Sequence, residues 1–97
     1  MKSTNEYLTL LRQYMDSHAG KYGIVRMGIF GSVARGQQTE NSDVDICFEA
    51  SAPNLLTLAR IKFDLEALLG SRVDLVRLRD RMDEYLKRNI EKEALYV

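Results

Sequence analysis

The order of apolar and polar positions divides the chain into alternating helices and strands. Apolar residues recur at helical spacing over residues 4–18, 55–69 and 80–95, which predicts three helices. The apolar run 24–30, the alternating segment 44–49 and the short segment 73–77 predict three strands. A short helix can begin at Ser32, and Gly36 with the polar residues that follow limits its length. The order α-β-(α)-β-α-β-α predicts an α+β fold with α/β-type alternation, in which helices cover a sheet of about three strands.

Local signals set the ends and the faces of these elements. Ser3 followed by Glu6 is typical of a capping box at the start of the first helix, and Gly20 and Gly23 are expected to end it. Gly70 is expected to end the helix 55–69. The last helix is predicted to bury an apolar face formed by Met82, Tyr85, Leu86 and Ile90.

Size and charge exclude several classes of function. The chain has 97 residues, so we expect one domain spanning residues 1–97. Fourteen basic residues balance fourteen acidic ones, so no net positive field favours direct nucleic-acid binding. Cys47 is the single cysteine, which leaves no internal disulfide and no cysteine zinc cluster. The sequence has no long apolar run and no signal peptide pattern, so we expect a cytoplasmic protein without a membrane segment.

Two aspartates at the start of the second predicted strand are the first candidate site. Asp43 and Asp45 are two residues apart, so they project from the same face of a strand. Carboxylates this close repel each other, and each raises the pKa of the other. On an exposed edge water would offset the repulsion, whereas at a functional site the usual partner is a divalent cation such as Mg²⁺.

The turn before these aspartates and a third carboxylate extend the candidate site. Gly31 permits a tight turn, and the hydroxyl of Ser32 beside the free N–H groups of a helix start is suited to a phosphate. Asp74 lies on the polar face of the strand 73–77. If that strand pairs with the strand 44–49, the three aspartates meet and could hold two Mg²⁺ ions for displacement at phosphorus.

The sequence segments around these residues resemble those of a known family. GIFGSVARG, SDVDICFE and RVDLV, with the ending NIEKEALYV, are similar to the minimal nucleotidyltransferases of the DNA polymerase β-like superfamily. The resemblance covers about residues 5–97 and implies the nucleotidyltransferase fold, with a small mixed sheet.

The resemblance also implies roles for individual residues. Gly31 and Ser32 would bind the triphosphate of ATP, and Arg35 would contact phosphate or serve a structural pair. Catalysis and binding of two Mg²⁺ ions would fall to Asp43, Asp45 and Asp74. The family implies a protein adenylyltransferase that transfers AMP to a tyrosine of a HEPN-family toxin, and so acts as the antitoxin of a toxin–antitoxin pair.

The residues alone leave alternatives open. A lone Asp-x-Asp is weak evidence for a metal site, and Asp74 could be an ordinary ion-pair partner of Arg72 or Arg77. The antitoxin could neutralise its toxin by binding alone, or the enzyme could modify a small-molecule acceptor. Cys47 is expected to be a small buried residue, and His18 a packed residue of the first helix.

Overall fold

Four helices and four strands alternate along the chain in a computed structural model that describes residues 1–97. The elements are α1 Thr4–Tyr22, β1 Ile24–Phe30, α2 Gly31–Ala34, β2 Val44–Ala50, α3 Leu55–Leu69, β3 Val73–Arg77, α4 Glu84–Glu93 and β4 Leu95–Tyr96. The predicted alternation and α+β fold class are confirmed. None of the helices is both long and apolar enough to cross a lipid bilayer.

The strands form one mixed sheet in the order β3-β2-β1-β4. β1 is antiparallel to both β2 and β4, whereas β2 and β3 run parallel, with α3 as the crossover between them. The conditional pairing of the strand 73–77 with the strand 44–49 is therefore confirmed. This topology gathers the start of β2, the start of β3 and the end of β1 at one edge of the sheet.

The main core lies between one face of the sheet and helices α1 and α3. The alternation in β2 sends Val44, Ile46 and Phe48 into this core, as their spacing predicts. The residues of this core that are completely shielded from solvent include Leu11, Met27, Ile29, Val44, Ile46, Phe48, Ile61, Leu65 and Leu69. The opposite face carries a smaller cluster of Phe30, Cys47 and Ile90, which attaches α4 to the sheet.

Helix boundaries follow the capping residues more closely than the apolar pattern. The capping box at Ser3 is present, and α1 runs through Gly20 as far as Tyr22, where Gly23 ends it with a φ of 67°. The predicted end at residue 18 is therefore wrong. α3 has the predicted bounds, because Asn54 caps its start and Gly70 its end.

The C-terminal segment departs most from the prediction. α4 begins at Glu84 and not at residue 80, because the Asp83 carboxylate accepts a hydrogen bond from the Leu86 N–H and caps the helix there. The helix stops at Glu93, since Leu95 and Tyr96 pair with β1 as a short fourth strand that the pattern does not predict. Tyr85 is 75% exposed, so its predicted place in the core is wrong.

Candidate functional site

Two of the candidate aspartates are direct neighbours in the sheet. Asp45 of β2 and Asp74 of β3 are register partners on parallel strands. Asp43 comes directly before β2, whose first N–H, that of Val44, donates to the Arg72 carbonyl at 2.9 Å. The structure thus brings the three aspartates to the same edge, as the sequence predicts.

The Gly31 turn lies against Asp45 because β1 pairs with β2. Phe30, the last residue of β1, is the register partner of Asp45. Gly31 follows with a φ of 72°, a left-handed conformation that side chains rarely adopt. A Cβ at this position would overlap the Asp45 carboxylate oxygen Oδ2 and lie 3.0 Å from the Asp45 Cγ. Glycine is therefore required here both for its backbone conformation and for the close approach of the turn to the carboxylate.

Charge accumulates at Asp45. Burial is the first cause that raises the pKa of this half-buried carboxyl group, followed by the negative charges of Asp74 and Asp43. The nearby Arg35 opposes the increase, and Glu93 adds to it. Repulsion between the carboxylates is therefore present at Asp45, as the sequence predicts, and the positive charge of Arg35 compensates it only in part.

Asp43 differs from the other two aspartates in its present partner. Its Oδ1 lies 3.1 Å from the Nε of Arg72, and both side chains are largely exposed. Arg72 therefore pairs with Asp43, and Asp74, which is exposed, forms no ion pair. With the side chains in these orientations, no group of three or more His, Cys, Asp or Glu residues is arranged to hold a metal ion. The aspartates share an edge, but they do not form a ready-made chelate.

A glutamate that the sequence reasoning missed completes this edge. Glu93, at the end of α4, accepts a hydrogen bond from the Gly31 N–H at 3.2 Å and from Arg35 Nη1 at 2.8 Å. The Arg35 Nε also donates to the Gln37 side chain at 3.0 Å. Ser32, half-buried in α2, accepts a backbone hydrogen bond from the Gln37 N–H at 2.8 Å. No local signal marks Glu93, since it lies 62 residues from Gly31 along the chain.

Cys47 and His18 have structural surroundings. Cys47 is completely buried, its thiol contacts the Gly28 carbonyl at 3.7 Å, and burial raises the pKa of that thiol. The ring of His18 stacks between those of Tyr14 and Tyr22, with centroid distances of 4.4 and 6.0 Å. Both predictions for these residues are confirmed.

Comparison with known proteins agrees with the geometry. The family model of the nucleotidyltransferase domain matches residues 8–97. The chain belongs to this family. Protein adenylyltransferase MntA of Thermococcus cleftensis is 34% identical to this nucleotidyltransferase over 98 residues, which are 100% of this chain and 98% of that protein.

Solved structures show the same fold. One, assigned as a minimal nucleotidyltransferase, is 38% identical, has a TM-score of 0.79 and covers 97% of this chain and 95% of that chain. A toxin–antitoxin complex with AMP-PNP is 26% identical, with a TM-score of 0.71 over 98% of this chain and 72% of that chain. A tri-AMPylated Shewanella oneidensis HEPN toxin in complex with an MNT antitoxin matches at 22% identity, with a TM-score of 0.60 over 96% and 66% of the two chains, and this likeness shows the fold.

Proposed function

We propose that this nucleotidyltransferase transfers AMP from ATP to a tyrosine hydroxyl of a HEPN-family toxin, and that it is the antitoxin of that pair. The observation that carries the proposal is the register of Asp45 with Asp74 beside the Gly31 turn. This places carboxylates at one sheet edge together with residues 31–35, here called the glycine loop, within reach of a single triphosphate. The full-length similarity to a protein adenylyltransferase supports the choice of AMP and of a protein acceptor.

The donor set at this edge fits Mg²⁺. All three candidate ligands are carboxylates, which are the hard oxygen donors that Mg²⁺ prefers. The pKa of Asp45 is raised first by burial and then by the negative charges of Asp74 and Asp43, and a bound cation would offset the cost of ionising this carboxyl group. We infer that Asp43, Asp45 and Asp74 hold the metal, with Asp43 leaving Arg72 to do so. When bound, Mg²⁺ would neutralise phosphate charge and stabilise the leaving pyrophosphate.

The remaining chemistry falls to the residues of the loop and of β3. The Gly31 N–H and the Ser32 hydroxyl would donate hydrogen bonds to phosphate oxygens, and the positive charge of Arg35 would attract the phosphates. Asp74 is exposed at the edge, so it can accept the proton of an incoming hydroxyl. The acceptor oxygen would then form a bond to the α-phosphorus while the bond to the bridging oxygen breaks and pyrophosphate leaves.

The acceptor is inferred to come from another polypeptide. The three candidate aspartates and the Gly31 turn share one edge of the sheet, and a similar solved structure is a toxin–antitoxin complex with AMP-PNP. An acceptor tyrosine delivered by a bound partner would be held in place by the protein interface. That interface would orient the hydroxyl toward the nucleotide.

Intact-mass spectrometry tests the proposal. The protein is incubated with ATP, Mg²⁺ and each HEPN-family protein of the same genome, and the mass of the partner is followed. We expect a gain of AMP units with the wild type, and no gain with Asp45→Asn or Asp74→Asn. Asp16→Asn, which removes the same charge from the exposed side of α1, is the matched control and should transfer normally.

Two other outcomes would contradict the proposal in different ways. Tight complex formation with no mass gain, together with neutralisation of the toxin by Asp45→Asn, would show an antitoxin that acts by binding alone. Transfer to hydroxylated small molecules and to no protein partner would show a different acceptor class.

A further inference from the structure

Glu93 occupies the donors that the proposed function assigns to phosphate. Its two carboxylate oxygens accept from different groups of the glycine loop, Oε2 from the Gly31 N–H and Oε1 from Arg35 Nη1. A carboxylate with one oxygen on a backbone amide and the other on a guanidinium resembles a bound phosphate in charge and in donor geometry. The loop is thus already organised around an anion that the chain itself supplies.

The position of Glu93 is not explained by the helix that carries it. Glu93 is the last residue of α4, where the partial negative charge of a helix C-terminus disfavours a carboxylate. Its side chain is only 23% exposed, and its charge raises the pKa of Asp45. A fourth negative group beside the three aspartates is unfavourable unless the loop donors hold it there.

We propose that Glu93 is an internal competitor of ATP, which occupies the Gly31 N–H and the Arg35 guanidinium until the triphosphate takes both donors. This inference rests on the proposed function, because it takes ATP as the ligand of the loop. Glu93 competes with the nucleotide for the same two donors and repels its negative charge. Its removal therefore strengthens nucleotide binding.

The variant Glu93→Gln removes the charge at nearly the same shape. Its amide oxygen can still accept from the Gly31 N–H, but its NH2 group cannot accept from Arg35, so that donor is freed. We expect the KM for ATP, and the Kd for ATP with Mg²⁺ measured by calorimetry, to fall about three- to tenfold, with a smaller change in kcat. Glu91→Gln removes the same charge two residues earlier on an exposed position of α4, and it should leave both constants unchanged.

A purely structural tie between α4 and the loop gives the opposite result. In that case Glu93→Gln would loosen the loop, and the KM would stay the same or rise. Either result would overturn the inference. ATP that fails to bind the wild type would overturn the proposed function as well, whereas ATP that binds both proteins equally would overturn only the role of Glu93.

A measurement on the wild type keeps the test independent of any variant. The carboxylate carbon of Glu93 and the amide of Gly31 are followed by NMR while ATP and Mg²⁺ are added. Displacement of the carboxylate predicts that both resonances move together with nucleotide saturation. A Glu93 carboxylate resonance that stays fixed while ATP saturates the protein would contradict displacement.

Discussion

The close approach of the Gly31 backbone to the Asp45 carboxylate predicts the outcome of Gly31→Ala. The φ of 72° costs an L-residue about 1–2 kcal/mol relative to glycine. The new methyl group would also overlap the Asp45 carboxylate, whose Cγ would lie 3.0 Å away. Overpacking of this kind costs about 1–3 kcal/mol more, because the carboxylate or the β2 backbone has to move. We expect the free energy of unfolding to decrease by about 2–5 kcal/mol.

Gly23→Ala is the matched control. Gly23 has a φ of 67°, and a Cβ there would meet only the Ser51 Cβ at an ordinary 3.9 Å. This variant carries the backbone strain without the overlap and lies at the end of α1, away from the aspartates. Its loss of stability should therefore be limited to about 1–2 kcal/mol. The difference between the two variants measures the contact between Gly31 and Asp45.

Thermal unfolding and AMP transfer together check the argument. A domain of this size loses about 4–8 °C of Tm per kcal/mol, so Gly31→Ala should melt at least about 4 °C below Gly23→Ala. Displacement of Asp45 should lower the transfer rate of Gly31→Ala by about 100-fold. Equal melting temperatures for the two variants, or transfer by Gly31→Ala at the wild-type rate, would refute the reasoning.

Three further predictions concern stability and reactivity. The fold raises the pKa of Asp45, so the native state binds this proton more tightly than the unfolded state does. Native stability should therefore decrease as the pH rises from the unfolded pKa of about 4 through the higher folded pKa. Asp45→Asn should therefore resist urea better than the wild type at pH 7 in EDTA, and the difference should disappear at pH 3. A variant that is less stable than the wild type at pH 7 would contradict this sign. The thiol of Cys47 is buried and its pKa is raised, so it should react with a thiol reagent only as fast as the protein unfolds. Rapid labelling under native conditions would contradict this burial. In chemical denaturation, Ile90→Ala should lower the free energy of unfolding by about 2–5 kcal/mol, because Ile90 is buried between α4 and the sheet. Tyr85→Ser, at an exposed position of the same helix, should change it by less than about 0.5 kcal/mol. Similar losses in the two variants would refute the assigned burial.

The elements that the sequence predicts well carry both a periodic pattern and a capping residue. α3 has its predicted bounds because Asn54 and Gly70 cap an uninterrupted apolar stripe. β3 follows the apolar alternation, and its pairing with β2 is the step that turns two separate motifs into one site. The sequence could state that pairing only as a condition, since register between strands is set by packing over the whole sheet.

The parts that the sequence did not reveal depend on contacts between distant residues. β4 has two residues and exists because β1 offers an edge for pairing, so no local pattern marks it. Glu93 has no local signal either, because its partners Gly31 and Arg35 lie 62 and 58 residues earlier in the chain. Tyr85 follows the apolar spacing of α4 and is nevertheless exposed, because α4 packs on the sheet through Ile90 and Leu86, and Tyr85 lies off that face.

The central claim is that the nucleotide and its metal bind at the edge formed by Gly31, Asp45 and Asp74. Paramagnetic Mn²⁺ in place of Mg²⁺, added with ATP to the isotope-labelled protein, locates the metal directly by the broadening of nearby amide resonances. We expect broadening around these three residues, and its loss in Asp45→Asn. Broadening centred on Glu49 and Arg77, at the opposite ends of β2 and β3, would contradict the account.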